Sequence, residues 1–169
     1  MSAQVKDFLG VTLSIPEDRL YDAAEGLWLK RQPDGVIAVG LTEPALLMAG
    51  TVREIERLVE QGTSVTAGET VLLGLTSKLK YIACPISGTL TFPENPREAV
   101  SRLMEDPYNT VLFFVEPSTD EARCLSDGLQ YAEFLKTSEG ARNPSGMKGG
   151  VSPTCKAVYM GLGDQKLND

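Results

Sequence analysis

The chain has 169 residues, 42% of them hydrophobic and 23% charged, which suffices for one domain with a proper core plus appendages. Twenty-three acids against 16 bases give a net charge of −7, so phosphate backbones and anionic bilayers repel it, and neither nucleic acid nor a membrane is expected as a partner. There is no histidine, which excludes Ser-His-Asp and Cys-His catalysis, imidazole acid–base chemistry and histidine-based metal sites together.

In chain order, residues 1–25 mix polar positions with Pro16 and read as an N-terminal arm or a short helix. The opening MSAQVKDFLG lacks the basic and apolar regions of a secretory signal, no apolar run reaches membrane-spanning length, and the expected compartment is the cytoplasm. LWLKR, the turn QPDG and VIAVGLT predict a β-hairpin over residues 27–42. TEPALLMAG predicts a short helix, with Thr42 as N-cap, Pro44 in the first turn and Gly50 at the end. In TVREIERLVEQG, the spacing of Val52, Ile55, Leu58 and Val59 favours a helix. GTSVTAGETVLLGLTS, KYIACPIS and GTLTFP are short β-rich runs broken by Gly62, Gly68, Pro85 and Gly88. That density of short strands points to a sandwich or barrel.

Asn95, Pro96 and Glu98 have the pattern of N-cap, first-turn proline and capping acid for a helix carrying Val100, Leu103 and Met104, which ends at EDPYN. TVLFFVEP predicts a buried strand. STDEARCLSDGLQYAEFLK predicts an amphipathic helix with Ser118 and Glu121 as a capping box and Leu125, Leu129 and Ala132 on one face. Residues 138–169, rich in Gly, Ser, Asn and Lys, are expected as a flexible tail, with CKAVYMGL as its one apolar stretch.

The three cysteines, Cys84, Cys124 and Cys155, are odd in number and show no CxxC spacing, which fits reduced thiols better than disulfides or a zinc site. Cys84 and Cys124 read as small apolar fillers of strand and helix; Cys155 lies in the expected tail, where a thiol stays exposed. Glu105 and Asp106 read as part of a turn, without the cleft or charged partner that a catalytic pair needs.

Taken in order, VGLTEPA, GTSVTAGE, CPISG, MEDPY and EPSTDEARCLSDGLQYAEFLK resemble the H protein of the glycine cleavage system, a relative of lipoyl and biotinyl carrier domains. Order and spacing agree from about Leu27 to Lys136. The resemblance implies a mainly β fold, a barrel-sandwich hybrid of the lipoyl-domain type with peripheral helices including a C-terminal one. The domain would span residues 26–137, between the arm and the tail. It also implies that TVREIERLV is a strand, against its helical spacing.

In function, the resemblance implies a carrier and not an enzyme. Lipoate would be held covalently on a hairpin lysine that shuttles an intermediate among a decarboxylase, an aminomethyltransferase and a dihydrolipoyl dehydrogenase. The attachment pattern in that family is Glu-Ser-Val-Lys-Ala. Counting forward from Gly62 puts the lysine at Lys78; counting back from Pro85 puts it at Ser77, because this hairpin is one residue shorter. Gly74, Leu75 and Thr76 stand where the acidic residue is expected, and Leu79 replaces the alanine. Lys78 is thus the first candidate for lipoyl attachment and Lys80 the second; the competing reading of each is solvated surface charge. A biotin carrier fits less well, since a Met-Lys-Met setting is absent. The alternative from another class is an unlipoylated H-like adaptor subunit of a larger enzyme complex, whose N-terminal arm and residues 138–169 wrap its neighbours.

Overall fold

The structure is a computed structural model, and it describes residues 2–76, 78–93, 96–122 and 125–137. The fold is mainly β, with three helices among the described residues. It divides into two compact units, one built from the described residues of 1–24 and 124–169, the other from those of 25–123.

The larger unit opens on the predicted hairpin. Strands β4 (Leu27–Arg31) and β5 (Ile37–Leu41) pair antiparallel, with Leu29 opposite Val39. Their turn is held by the Asp34 carboxylate, which accepts from the Val36 amide at 3.0 Å, and by Gly35 at φ +91°, a left-handed conformation that a side chain disfavours. Strand β11 (Phe113–Ala122) pairs with β5, β10 (Ile86–Thr91) with β11, and β7 (Ser64–Val65) with β10. In this unit the strand order is therefore β4-β5-β11-β10-β7. A second sheet of three strands has the order β6 (Glu54–Arg57), β8 (Thr70–Leu75) and β9 (Leu79–Ala83). Leu27, Leu29, Val39, Val71, Ile82, Leu90, Phe113 and Val115 lie in the core, and β5 is buried at all of its positions, Ile37 to Leu41.

Helix α1 (Glu43–Ala49) starts and stops where its punctuation predicts. The Thr42 hydroxyl accepts from the Ala45 amide at 3.3 Å, Pro44 sits in the first turn, and the Gly50 amide donates to the Leu46 carbonyl at 2.9 Å. Helix α2 (Pro96–Glu105) buries Ala99 and Leu103, while Met104 points to solvent; its expected cap, Asn95, lies outside the described residues. EDPYN becomes a 3-10 turn at Pro107–Asn109. The Trp28 indole donates to the Pro107 carbonyl at 2.9 Å, and the Tyr108 hydroxyl accepts from the Glu43 amide at 3.3 Å. The turn is therefore tied to both β4 and α1.

One reading is borne out here and one is corrected. Within TVREIERLV, Glu54–Arg57 form β6, the strand that the resemblance implies and the helical spacing does not: Ile55 is buried while Leu58 is exposed. Pairing with β8 satisfies its backbone and overrides helical periodicity. The last helix, in turn, does not begin at a Ser118–Glu121 box. Strand β11 continues through Ala122, Leu125 and Ser126 form β12, and α3 spans Gly128–Lys136. Its capping box is Asp127 with Gln130. Leu125 is buried in the strand and Leu129 is exposed, so Tyr131, Ala132 and Leu135 make the packed face.

In the smaller unit, β1 (Ser2–Phe8) and β2 (Val11–Pro16) form an antiparallel hairpin where an arm or short helix was expected. Val5, Phe8, Leu13 and Ile15 are buried, and α3 packs on these strands. Strand β3 (Leu20–Asp22) pairs with β12, and Tyr21 stacks on Tyr131 with ring centroids 4.7 Å apart.

Candidate functional site

The site is built on the hairpin β8–β9. Leu75 and Leu79 are its last pair, joined through residues 76–78. Thr76 and Lys78 close the link on themselves. The Thr76 amide donates to the Lys78 carbonyl at 2.8 Å, the Thr76 hydroxyl donates to the same oxygen at 2.9 Å, and the Lys78 amide donates back to that hydroxyl at 3.0 Å. Thr76 is buried and Lys78 is exposed. The backbone under the lysine is thereby fixed while its four-carbon stem reaches into solvent. Below the link, β8 is held on its other edge by β6, and the Arg53 amide donates to the Leu75 carbonyl at 2.8 Å.

Lys80 is placed differently. It stands opposite Gly74, which stands opposite Ile55, and it is half-buried and engaged in an interaction of its own. Of the two candidate lysines, Lys78 is the exposed one beside the apex. Ser77 lies outside the described residues.

The two motifs flanking the hairpin clasp each other at its base. In Thr66–Glu69 the Glu69 amide donates to the Thr66 carbonyl at 2.9 Å, and the Thr66 amide donates to the Glu69 carboxylate at 3.3 Å. The Gly68 amide donates to the Cys84 carbonyl at 2.7 Å, the Cys84 amide to the Glu69 carbonyl at 2.8 Å, and the Ala67 amide to the Ser87 hydroxyl at 2.8 Å. GTSVTAGE and CPISG thus form one locked base with the hairpin projecting from it.

Cys84 sits in that base with no solvent exposure, its thiol donating to the Ile86 carbonyl at 3.0 Å. Burial pushes its pKa up to about 11; the Ile86 contact pulls the other way and the nearby Glu69 carboxylate adds to the rise. A thiol protonated at neutral pH is a filler and not a nucleophile. Cys124 and Cys155 lie outside the described residues. The Asp106 carboxylate accepts from the Asn109 side-chain amide at 3.0 and 3.2 Å, a turn-closing role in keeping with the reading of EDPY as a turn.

Sequence reasoning missed Thr76, whose clamp on Lys78 requires knowing that the link folds back within three residues. It also missed that Leu73, Leu75, Leu79 and Tyr81 share one face with Glu54 and Glu56. The alternating runs around the turn carried that signal, but the face they form depends on register.

The model of the glycine cleavage H-protein family matches residues 19–138. Among curated relatives, the glycine cleavage system H protein of Streptomyces coelicolor is 34% identical over 124 residues, 72% of this chain and 98% of that protein. The probable H protein of Pyrococcus abyssi is 29% identical over 125 residues, 72% of this chain and 92% of that one. A crystal structure of a glycine cleavage system H protein from Mycobacterium marinum superposes with a TM-score of 0.61 at 29% identity, covering 71% of this chain and 98% of that one. The clasped GTSVTAGE and CPISG motifs, the hairpin they carry and the closing helix α3 all lie within the matched residues, and the chain belongs to the glycine cleavage H-protein family.

Proposed function

We propose that this H-protein-like carrier holds a lipoyl group in amide linkage on Lys78 and passes a carried intermediate among a decarboxylase, an aminomethyltransferase and a dihydrolipoyl dehydrogenase. The observation that carries the reading is an exposed primary amine beside the end of a hairpin whose backbone is clamped by Thr76. An attached arm needs an amine that a modifying enzyme can reach and a base that does not move with it. Lys78 fits both requirements, and half-buried Lys80 fits the first less well. Lipoate, when attached, supplies the dithiolane chemistry. The chain's own contribution is presentation: β6 and β8 hold the hairpin, Thr76 fixes the lysine's backbone, and the exposed stem gives the arm its sweep. Tethering sets the local concentration of a carried group at about millimolar for a flexible link that spans the distance.

In this reading residues 26–137 are the carrier domain, residues 1–25 extend it at the N-terminus, and residues 138–169 are a tail outside the carrier function. Intact mass of the protein purified from its native, lipoate-replete host tests the assignment. A lipoyl increment is expected on the wild type and on Lys80→Ala, and its loss on Lys78→Ala. Unmodified wild-type protein that copurifies with an enzyme complex would instead establish the adaptor role.

A further inference from the structure

Strand β9 has β8 as its one neighbour among the described strands, and its backbone is free along the other edge. In an antiparallel pair every second residue directs its N–H and C=O to the same neighbour. The Leu75 carbonyl accepts from the Arg53 amide and the Val71 carbonyl from the Leu58 amide, so these residues of β8 and Leu73 between them turn their backbone to β6. Leu72 and Gly74 turn theirs to β9, where Ile82 and Lys80 stand opposite. Cys84 faces the same way, its amide donating to the Glu69 carbonyl. Leu79, Tyr81 and Ala83 therefore point their backbone groups away from the sheet.

The two edges of this sheet are unlike. β6 carries three charges in four residues, Glu54, Glu56 and Arg57, a composition that discourages further pairing. On β9, Leu79 is 55% and Tyr81 57% exposed. They share one face, and Lys80 is on the other. A free edge with two large exposed apolar side chains invites another strand.

Such an edge is complementary to itself, because pairing about a two-fold axis matches each outward N–H with an outward C=O. Centred on Tyr81, the pairing engages all five residues of LKYIA: Tyr81 opposite Tyr81, Leu79 opposite Ala83, and Lys80 opposite the apolar Ile82. Centred on Lys80, it would set two ammonium groups face to face, which destabilises a strand pair. Centred on Ile82, it would leave Leu79 without a counterpart. The edge lysine thus selects a register. The charges of β6 do not oppose it: the two β6 strands would lie five strand spacings apart, about 24 Å, roughly three screening lengths at physiological salt.

We propose that β9 is a self-association edge, through which two copies of this chain pair antiparallel about a two-fold axis at Tyr81 and join their three-stranded sheets into one of six. Leu79 and Tyr81 leave water, and the outward backbone groups of both strands are bonded. Lys78 then stands opposite Cys84 of the second copy, six residues from that copy's own Lys78, or about 20 Å along the strand. Both lysines stay at the ends of the pair. With Lys78 as the attachment site, the dimer is a carrier with two arms; the pairing itself does not depend on that site.

Sedimentation equilibrium of the full-length unmodified protein tests the pairing, from about 10 μM to about 1 mM, a range suited to a small interface. The wild type is expected to go from monomer to dimer as concentration rises. It should do so more readily in about 150 mM salt than in about 20 mM, since screening weakens the repulsion between two chains of charge −7. Tyr81→Lys sets two ammonium groups at the axis, and Tyr81→Pro removes the central N–H at a position that an edge strand tolerates. Each is expected to raise the dimer Kd at least about tenfold. Met48→Lys, a charge at another exposed apolar residue, should dimerise as wild type. Circular dichroism checks that each variant is folded. In a Cys124→Ser/Cys155→Ser background with oxidised glutathione as oxidant, Tyr81→Cys is expected to form a disulfide across the axis, where the two Cα atoms lie about 5.5 Å apart. Leu79→Cys, out of register with its own copy, should not. A wild type that stays monomeric, a dimer that Tyr81→Lys and Tyr81→Pro leave intact, or a disulfide through Leu79→Cys in place of Tyr81→Cys would each overturn the proposal. None of these outcomes touches the lipoyl increment at Lys78, which intact mass reads separately.

Discussion

A methyl group added at Gly88 would overlap the carbonyl oxygen of Glu116 on the neighbouring strand and crowd a Val115 methyl at 2.9 Å. Because the contact is with backbone, relief requires moving a strand, and Gly88→Ala is expected to cost about 2 kcal/mol in a urea titration. The glycine of CPISG is legible in sequence as a turn signal, but its reason, the close approach of β11, is not, because Glu116 lies 28 residues away. Gly40 repeats the lesson: it stands opposite Trp28, whose indole lies 2.5 Å from where its Cβ would be. Cys84 gives a pH prediction. Its thiol pKa is raised from 9.0 to about 11, so the native state holds the proton more tightly than the unfolded chain. That stabilisation is full below pH 9 and is lost as pH rises from 9 through 11, by roughly 3 kcal/mol at most. In a Cys124→Ser/Cys155→Ser variant, the remaining thiol is expected to resist alkylation at pH 8 until the protein is unfolded, as followed by mass spectrometry.

At the scale of elements, local punctuation and long-range pairing divide the work. Helix α1 needed only Thr42, Pro44 and Gly50, since its cap and its stop lie within nine residues of chain. The start of α3 was misplaced because Ser118-x-x-Glu121 and Asp127-x-x-Gln130 are both capping patterns, and only the extension of β11 to Ala122, paired with Ile86, rules out the first. Asp127→Ala is expected to lower stability by about 1 kcal/mol, whereas Ser118→Ala should leave the thermal midpoint unchanged. The hairpin link is the element on which function turns. Thr76→Val removes a hydroxyl that bonds both the amide and the carbonyl of Lys78. The Lys78 amide should then exchange with solvent about five- to tenfold faster, the equivalent of one lost hydrogen bond, readable by native-state hydrogen exchange.

For the whole molecule, a net charge of −7 makes association with a basic partner sensitive to salt, and long-range steering weakens once ionic strength brings the screening length to about 10 Å. Among the described residues no helix is long and apolar enough to cross a membrane. The last described helix, α3, packs through Tyr131, Ala132 and Leu135. A chain ending at Thr137 therefore keeps every described packing element. It is expected to unfold in one cooperative transition with a melting temperature within a few degrees of the full chain. A broad, non-cooperative melt of that truncated chain would place residues 138–169 in the core.

What depends on neighbours along the chain is legible in the residues alone: the hairpin at Asp34-Gly35, the limits of α1, the exclusion of histidine chemistry and the family signature in GTSVTAGE and CPISG. The residues also mark Lys78 as the lysine to watch. That residues 2–16 form a packed hairpin, and that Leu79 and Tyr81 share a face with Glu54 and Glu56, follows from the folded chain alone. The physical reason is register. Side chains on a strand alternate between faces, so what stands beside Lys78 is settled by strands that meet it from more than 20 residues away, and no local pattern encodes that alignment.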